Sequence, residues 1–467
     1  MKKILLHGGT LVFILWLGAS CALEPGIQRR QRFDEGQVFI YLSTPHKPST
    51  EVTFSTSALS FKDEEGLWTE VSLEREVRSS DLSEGQLKLE ELFLPAGKYN
   101  QMRWHFREAK VTRGNKRFSL ALPEPEETWD LNLEFEVFPQ ESLTLFVTWD
   151  PDTSILNEFM FRPKMSARKQ GMEIKRILAY VTNGGSDALT VIDKQSDRVV
   201  GSIAVGRVPK GVAVNGDGTR VYVANSGSKT ISVVDTVAGR VTKTINNFGY
   251  SPSELLLSAD DQQLYAVNSR ADSISVFDTA SEVMITRIDV GRDPSDIALD
   301  ADGDKLYVAN RGENTVSVID IPSKEVEDTI TVELGPSGLA VQDGKVYVAN
   351  HDSNTVSVIA LGSNAVSKTI AVGQGPVRVQ SGLPDWVYVA NANSNDCDFI
   401  YSRMDMVTQR IAVEDFPRGM GVDTLRRKLY VVNKLSDTVS IVDLASKRVK
   451  GTISTGREPH DIAVVEE

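Results

Sequence analysis

The chain has 467 residues, a formal net charge of −13 and 41% hydrophobic residues. That length suits two or three domains with packed cores, and the acidic balance repels nucleic-acid phosphate and anionic lipid. With only two cysteines, Cys21 and Cys397, neither a disulfide framework nor a multi-cysteine metal site is expected, and Cys397 reads as a buried, inert thiol.

Residues 1–20 read as a signal peptide. Lys2 and Lys3 precede an apolar run centred on Leu11 to Leu17, and small residues lead to Cys21; the run is short for a membrane span of about 20 residues. Residues 21–33, with Pro25, Gly26 and several charges, read as a tether. From 34 to 160 the pattern is one of strands. Val38 to Leu42 is a continuous apolar run, and Met102, Trp104 and Phe106 alternate with Gln101, Arg103, His105 and Arg107. Such alternation gives one apolar and one polar face. Seven or eight strands of this kind predict an antiparallel β-sandwich. Ser79 to Leu92 is expected to be a short helix or a loop, and Lys110 to Arg117 a polar turn. Residues 161–173 read as a linker.

From 174 to 467 one unit recurs. A tyrosine, two small or β-branched residues and an asparagine stand at Tyr180, Tyr222, Tyr265, Tyr307, Tyr347, Tyr388 and Tyr430, at intervals of 42, 43, 42, 40, 41 and 42 residues. Each period holds four short strands and four tight turns, which predicts the blade of a propeller. The first unit lacks the strand that starts at a proline, and Pro459 to Val465 supplies one near the end of the sequence. A seven-bladed β-propeller closed by the C-terminal strand is therefore expected. The asparagines ending the second strand, and the Asp and Asn residues four and ten places later, read as braces that accept backbone N–H groups.

Three resemblances rest on these residues. Leu17-Gly18-Ala19-Ser20-Cys21 resembles a bacterial lipoprotein signal; that implies lipid attachment at Cys21, export and placement in the outer membrane, facing periplasm or cell surface. Val38 to Leu42, Leu94 to Arg103 and Leu143 to Trp149 resemble the domain family of unknown function numbered 4382 (DUF4382), found on bacterial exported proteins. Tyr180-Val181-Thr182-Asn183 and its six variants resemble the YVTN β-propeller repeat family, whose motif specifies fold, not reaction.

Function is sought where the pattern breaks. The sixth unit carries Trp386, Asp396, Asp398, Tyr401 and Arg403 in place of the usual residues, and Arg103, His105 and Arg107 share one polar strand face. These eight are the candidate ligand-binding residues. The expected function is a non-catalytic exported or cell-surface binding module for a protein or a cell-envelope polysaccharide, with membrane attachment through the lipidated N-terminus and no nucleic acid. One alternative is an enzyme with its active site on the propeller axis; a second is a surface-layer-like scaffold. No cofactor, no metal and no catalytic residue is assigned. His351 and His460 are the only propeller histidines, and their repeat positions do not make them converge.

Overall fold

A computed structural model describes residues 34–83, 85–122, 127–171, 177–246 and 250–465. Cys21 and the signal and tether expectations lie outside the described residues. The described chain is all-β apart from two short 3-10 turns, Ser79–Leu82 and Ser269–Ala271.

The N-terminal region holds eleven strands: β1 (Glu35–Ser43), β2 (Glu51–Asp63), β3 (Trp68–Arg78), β4 (Gln86–Pro95), β5 (Gly97–Arg113), β6 (Lys116–Ser119), β7 (Thr128–Val137), β8 (Ser142–Asp150), β9 (Ile155–Leu156), β10 (Met160–Phe161) and β11 (Lys164–Lys169). One sheet runs β11-β8-β1-β4 and a second joins β3, β2, β5, β6 and β7. The expectation of purely antiparallel pairing needs correction, because β1 and β8 run parallel. Two further expectations change. Lys110 to Arg113 continues β5 instead of turning, and Lys164–Lys169, read as linker, is the edge strand of the first sheet. Both are strands with many charged residues, so hydropathy hid them. The two sheets enclose Phe54, Trp104, Trp149 and Phe161, with the Phe54 and Trp149 rings 4.8 Å apart and edge-on, a favoured aromatic geometry.

The continuous apolar run in β1 has a physical cause. Val38, Ile40 and Leu42 face this core. Phe39 and Tyr41 point the other way and pack, with Phe146, against Val181, Ile441 and Ile453 of the repeat region. A strand buried on both faces loses its alternation. The junction also carries polar contacts. Gln37 Nε2 donates to the Ser186 carbonyl at 2.9 Å, and the buried Glu91 carboxylate accepts from Ser186 Oγ at 2.6 Å and Arg457 Nη2 at 2.8 Å.

The repeat region forms seven four-stranded antiparallel sheets. In the fourth, strands Pro294–Leu299, Lys305–Asn310, Thr315–Asp320 and Glu325–Thr331 follow in order. In the first, Leu178–Asn183 pairs antiparallel with Pro459–Val464, Tyr180 opposite Ala463. Here too the middle strands are buried on both faces. Leu306 and Val308 pack toward the third sheet, while Tyr307 and Ala309 pack toward Leu339, Val346 and Val348 of the fifth.

The asparagines act differently from the expectation. Asn310 donates from Nδ2 to Thr315 Oγ1 at 3.1 Å and Ser317 Oγ at 2.8 Å, and Asn225, Asn350 and Asn433 do the same with their own hydroxyl pairs. They are donors across one blade, not acceptors of backbone N–H. The residues four places later do accept it. Asp187, Asp272, Asn314, Asn354, Asn395 and Asp437 take the N–H of Val208, Asp293, Gly335, Gly375, Phe416 and Glu458, between 2.7 and 3.0 Å. Each sits at φ between 48° and 57°, a conformation that Asn and Asp tolerate best among residues with a Cβ. Their partners begin the next sheet, so these are staples between blades. The aspartates ten places later brace their own hairpins, as Asp193 does for Gln195 and Ser196.

Candidate functional site at the centre of the propeller

The innermost strand of each sheet starts at a proline, or two residues after one in the third sheet. Just past the proline its register against the second strand slips, between Pro294 and Asp296, Pro336 and Gly338, and Pro376 and Arg378. Such a bulge bends the strand and re-aims side chains. The residues two places after the seven prolines are Gly211, Glu254, Asp296, Gly338, Arg378, Gly419 and Asp461. Four are charged, and the structure brings those four together. Arg378 Nη1 lies 2.9 Å from Glu254 Oε2 and 3.1 Å from Asp296 Oδ1, and Nη2 lies 3.8 Å from Asp461 Oδ1. The four charged groups come from four different blades. The glycines make this possible, since a Cβ on Gly211 would stand 2.7 Å from Glu254 Cα and one on Gly338 2.7 Å from Arg378 Cα.

The carboxylates are also held from behind. Asp296 Oδ2 accepts the Leu339 N–H at 2.8 Å, and Asp461 Oδ2 accepts the Val212 N–H at 3.3 Å. Each reaches the neighbouring innermost strand, so the cluster also ties adjacent blades together. Burial drives the Glu254 carboxyl well above its usual range; Arg378 opposes this, and Asp461 and Asp296 add to it. Burial likewise raises Asp296, against Arg378 and two backbone N–H groups. Burial works against the Arg378 charge, yet Asp296, Glu254 and Asp461 together hold it on. One guanidinium among three buried carboxylates leaves an uncompensated charge, and a shared proton is the usual remedy.

One residue earlier on the same strands stand Lys210, Arg418 and His460. Both ring nitrogens of His460 are buried without a hydrogen-bond partner. Burial, then Arg418, Lys210, Lys434 and Arg378, hold this imidazole well below the usual histidine range, so it is neutral at neutral pH. A neutral imidazole, a carboxyl that burial biases toward its protonated form and two guanidiniums are the parts of a general acid–base site with charge stabilisation. The sequence expectation that the histidines do not converge holds for His351, which pairs with Asp352 at 2.6 Å. His460 lies elsewhere, near Arg418, Lys210, Lys434 and Arg378.

The eight candidate binding residues are not brought together. Trp386 packs on Tyr401 and beneath Lys447 Nζ, 3.9 Å from its ring. Asp396 and Asp398 accept from Asn391 Nδ2, and the buried Asp398 also takes Arg410 in a two-pronged pair at 2.7 and 2.9 Å. Arg403 pairs with Asp385 at 2.7 Å. In the N-terminal region Arg103 pairs with Asp130 and lies over Trp68, His105 Nε2 bonds Ser60 Oγ at 2.8 Å, and Arg107 meets Glu74 at 2.7 Å. Cys397 is buried near Met420, and burial keeps its thiol protonated. One further group has metal-type donors close together: His46, Asp150 and Asp152 offer atoms within 4.8 Å of one another. Asp152 there also accepts the N–H groups of Ser49 and Thr50.

The central cluster was legible in one column of the repeat. Two places after the proline, the residue is glycine or charged instead of apolar, and that signal marks a position outside the apolar packing between blades.

Comparison with known proteins gives the same architecture. The description of a family of seven-bladed β-propeller lactonases matches residues 284–382. No curated protein matches the chain. A protein of unknown function from Desulfotomaculum acetoxidans is similar in structure, with TM-score 0.56 and 14% identity over 62% of this chain and 99% of that one. A putative 6-phosphogluconolactonase from Bacteroides fragilis gives 0.53 and 16%, over 62% and 98%. The dihydro-heme d1 dehydrogenase NirN gives 0.51 and 13%, over 63% and 77%. The chain is thus an all-β protein with a β-propeller-like fold, similar to that of propeller enzymes, preceded by a mixed-sheet region.

Proposed function

We propose that the protein is a propeller enzyme that hydrolyses a lactone or comparably reactive ester of a small polar molecule at the centre of the ring. One observation carries this reading: Glu254, Asp296, Asp461 and Arg378 converge from four blades beside the unpartnered His460. Burying this many charges opposes folding. The family match over residues 284–382 supports the same reading, because it covers Asp296, Gly338 and Arg378.

In this reading His460 takes a proton from water as the water oxygen bonds the carbonyl carbon. Arg418 stabilises the oxyanion that forms. The C–O ester bond then breaks, and the leaving alkoxide takes the proton held by the carboxyl group of Glu254. The products are an acid and an alcohol; His460 gives its proton to solvent and Glu254 takes one back from solvent, which restores both groups. The test is hydrolysis of a panel of sugar and aliphatic lactones followed by titration of released acid. Wild type turns over at least one, and His460→Gln and Glu254→Gln each lower kcat by about 10²–10⁴. No turnover across the panel, or full activity in both variants, overturns the reading.

Three expectations belong to the same proposal. Pairing of Leu178–Asn183 with Pro459–Val464 closes the seven sheets into one ring, the repeats are of the YVTN type, and the N-terminal region is of the DUF4382 type. Lipid on Cys21 places the enzyme in the outer membrane of an exported system, and labelling with a radioactive fatty acid that is lost in Cys21→Ser checks that placement. The binding-module reading would need free polar surface at the eight candidate residues. Their internal partners favour the centre instead.

A further inference from the structure

We propose that the N-terminal region binds one divalent transition-metal ion, with Zn²⁺ the best match, through His46, Asp150 and Asp152. The site lies outside the propeller and does not depend on the hydrolytic reading of its centre.

The site follows from the parallel pairing of β1 and β8. That pairing sets Ser43 opposite Thr148, so the chain leaves both strands at the same end of the sheet. An antiparallel pair would send the two loops out at opposite ends. His46 is three residues past Ser43, and Pro151 is three past Thr148. Continuing the register therefore sets His46 level with Pro151, between Asp150 and Asp152. The three side chains do meet there. Asp150 Oδ1 lies 3.6 Å from His46 Nε2, and Asp152 Oδ2 lies 3.7 Å from Nδ1. One donor atom from each residue lies within 4.8 Å of the other two. Zinc bonds of about 2.0–2.2 Å set tetrahedral donors about 3.4 Å apart, so a small inward turn of the half-exposed imidazole completes the set.

Two further observations agree. The carboxylates are aimed by partners of their own. Asp152 Oδ1 accepts the N–H groups of Ser49 and Thr50 at 3.0 and 2.9 Å, and the Thr153 N–H reaches Asp150 Oδ1 at 3.4 Å. Such outer bonds orient metal ligands before an ion arrives. The charge is also unbalanced. Among the described residues neither carboxylate pairs with a lysine or an arginine, and both pair with His46 alone. An imidazole brings at most one positive charge to two negative ones, whereas a divalent ion balances both. The two carboxylates are only 22% and 20% exposed, so water screens their repulsion incompletely. The donor set selects the ion: imidazole nitrogen favours zinc over calcium or magnesium. Three protein donors leave one position of a tetrahedral ion to solvent. The ion has a way in, because Asp152, with Ser49, Thr50 and Arg113, lines an open cleft of about 370 Å³.

The experiment uses the full chain, cleared of metal with a chelator. It is titrated with Zn²⁺, and separately with Ca²⁺, by calorimetry, and the visible spectrum of bound Co²⁺ reports the ligands. The expected result is one Zn²⁺ per chain, the intense Co²⁺ bands of a low-coordinate site and a rise in melting temperature with Zn²⁺. His46→Ala and Asp152→Asn each weaken Zn²⁺ binding about 10-fold or more and remove the rise. Asp150→Asn, which keeps the side-chain shape, does the same. His351→Ala breaks the other histidine–aspartate pair and changes nothing. Thermal melts without metal show which variants are folded. If Zn²⁺ does not bind at one per chain, or binds folded His46→Ala and Asp150→Asn as it binds wild type, the proposal falls. If His351→Ala abolishes binding, the ion sits on that pair and the proposal falls. If Ca²⁺ binds as tightly as Zn²⁺ and survives His46→Ala, the carboxylates alone hold a cation and the assignment of a transition-metal site falls.

Discussion

Two columns of the same repeat lie a few residues apart and obey opposite rules. The asparagine that ends the second strand is identical seven times, from Asn183 to Asn433. The residue two places after the proline reads Gly, Glu, Asp, Gly, Arg, Gly, Asp around the ring. The asparagine is buried and donates within its own blade, to hydroxyls in most blades and to the Asp396 and Asp398 carboxylates in the sixth, so every blade presents the same problem and a similar answer. The second column faces the one place that all blades share, where neighbours are not equivalent. Uniformity marks what each blade needs for itself, and variety marks what the ring assembles jointly.

The sharpest way to break this contrast is Arg378→Met. It leaves Glu254, Asp296 and Asp461 without their shared cation, and breaking a buried pair costs about 3–5 kcal/mol, read as a lower urea midpoint at pH 7. Part of the loss returns on acidification, as the carboxyls take up protons. Gly338→Ala comes next. Its Cβ would lie 2.7 Å from the Arg378 backbone, and such overpacking costs about 1–3 kcal/mol; a glycine in the variable column is thus as constrained as a charge. Asn310→Ala tests the uniform column. It removes two donors, at 3.1 and 2.8 Å, for a loss of about 1–2 kcal/mol in the same denaturation assay, with no change in the centre. Arg403→Ala removes an exposed pair with Asp385, and no shift in melting temperature is expected.

The pH dependence of stability separates the groups by sign. Glu254 has a raised pKa in the folded protein, so its contribution is fully present below the ordinary value of 4.5 and is lost as pH rises through the folded value. His460 is depressed below 6.5; its contribution is present above that value and is lost as pH falls toward the folded one. Glu254→Gln therefore flattens the decline on the alkaline side, and His460→Gln flattens the one on the acid side, in urea midpoints measured from pH 5 to 8.

Most of the architecture was legible because it rests on repetition. Tyr307 to Asn310 announces a strand, a burial pattern and a turn, and does so seven times. The role of Asn310 was half legible: its place at a strand end is a matter of spacing, whereas its direction of donation depends on Thr315 and Ser317 across the hairpin. The N-terminal pairing was less legible. Nothing in Val38 to Leu42 distinguishes a parallel partner in β8 from an antiparallel one, and the apolar run shows double-sided burial without saying that a second domain supplies it. The centre was written in the residues after the prolines, yet Glu254, Asp296, Arg378 and Asp461 are about 40 residues apart or more, and only the ring makes them neighbours.

The pairing of Leu178–Asn183 with Pro459–Val464 has a consequence for biosynthesis. Among the described strands Pro459–Val464 leaves the ribosome last, so the first blade is missing a strand while the other six are made. Throughout that interval Leu178–Asn183 presents an open row of N–H and C=O groups, the kind of edge that recruits another chain. The N-terminal region is made earlier and carries Phe39, Tyr41 and Glu91, which contact both the first and the seventh blade. It can hold the waiting blade while the seventh is added, acting on the nascent chain as a built-in chaperone.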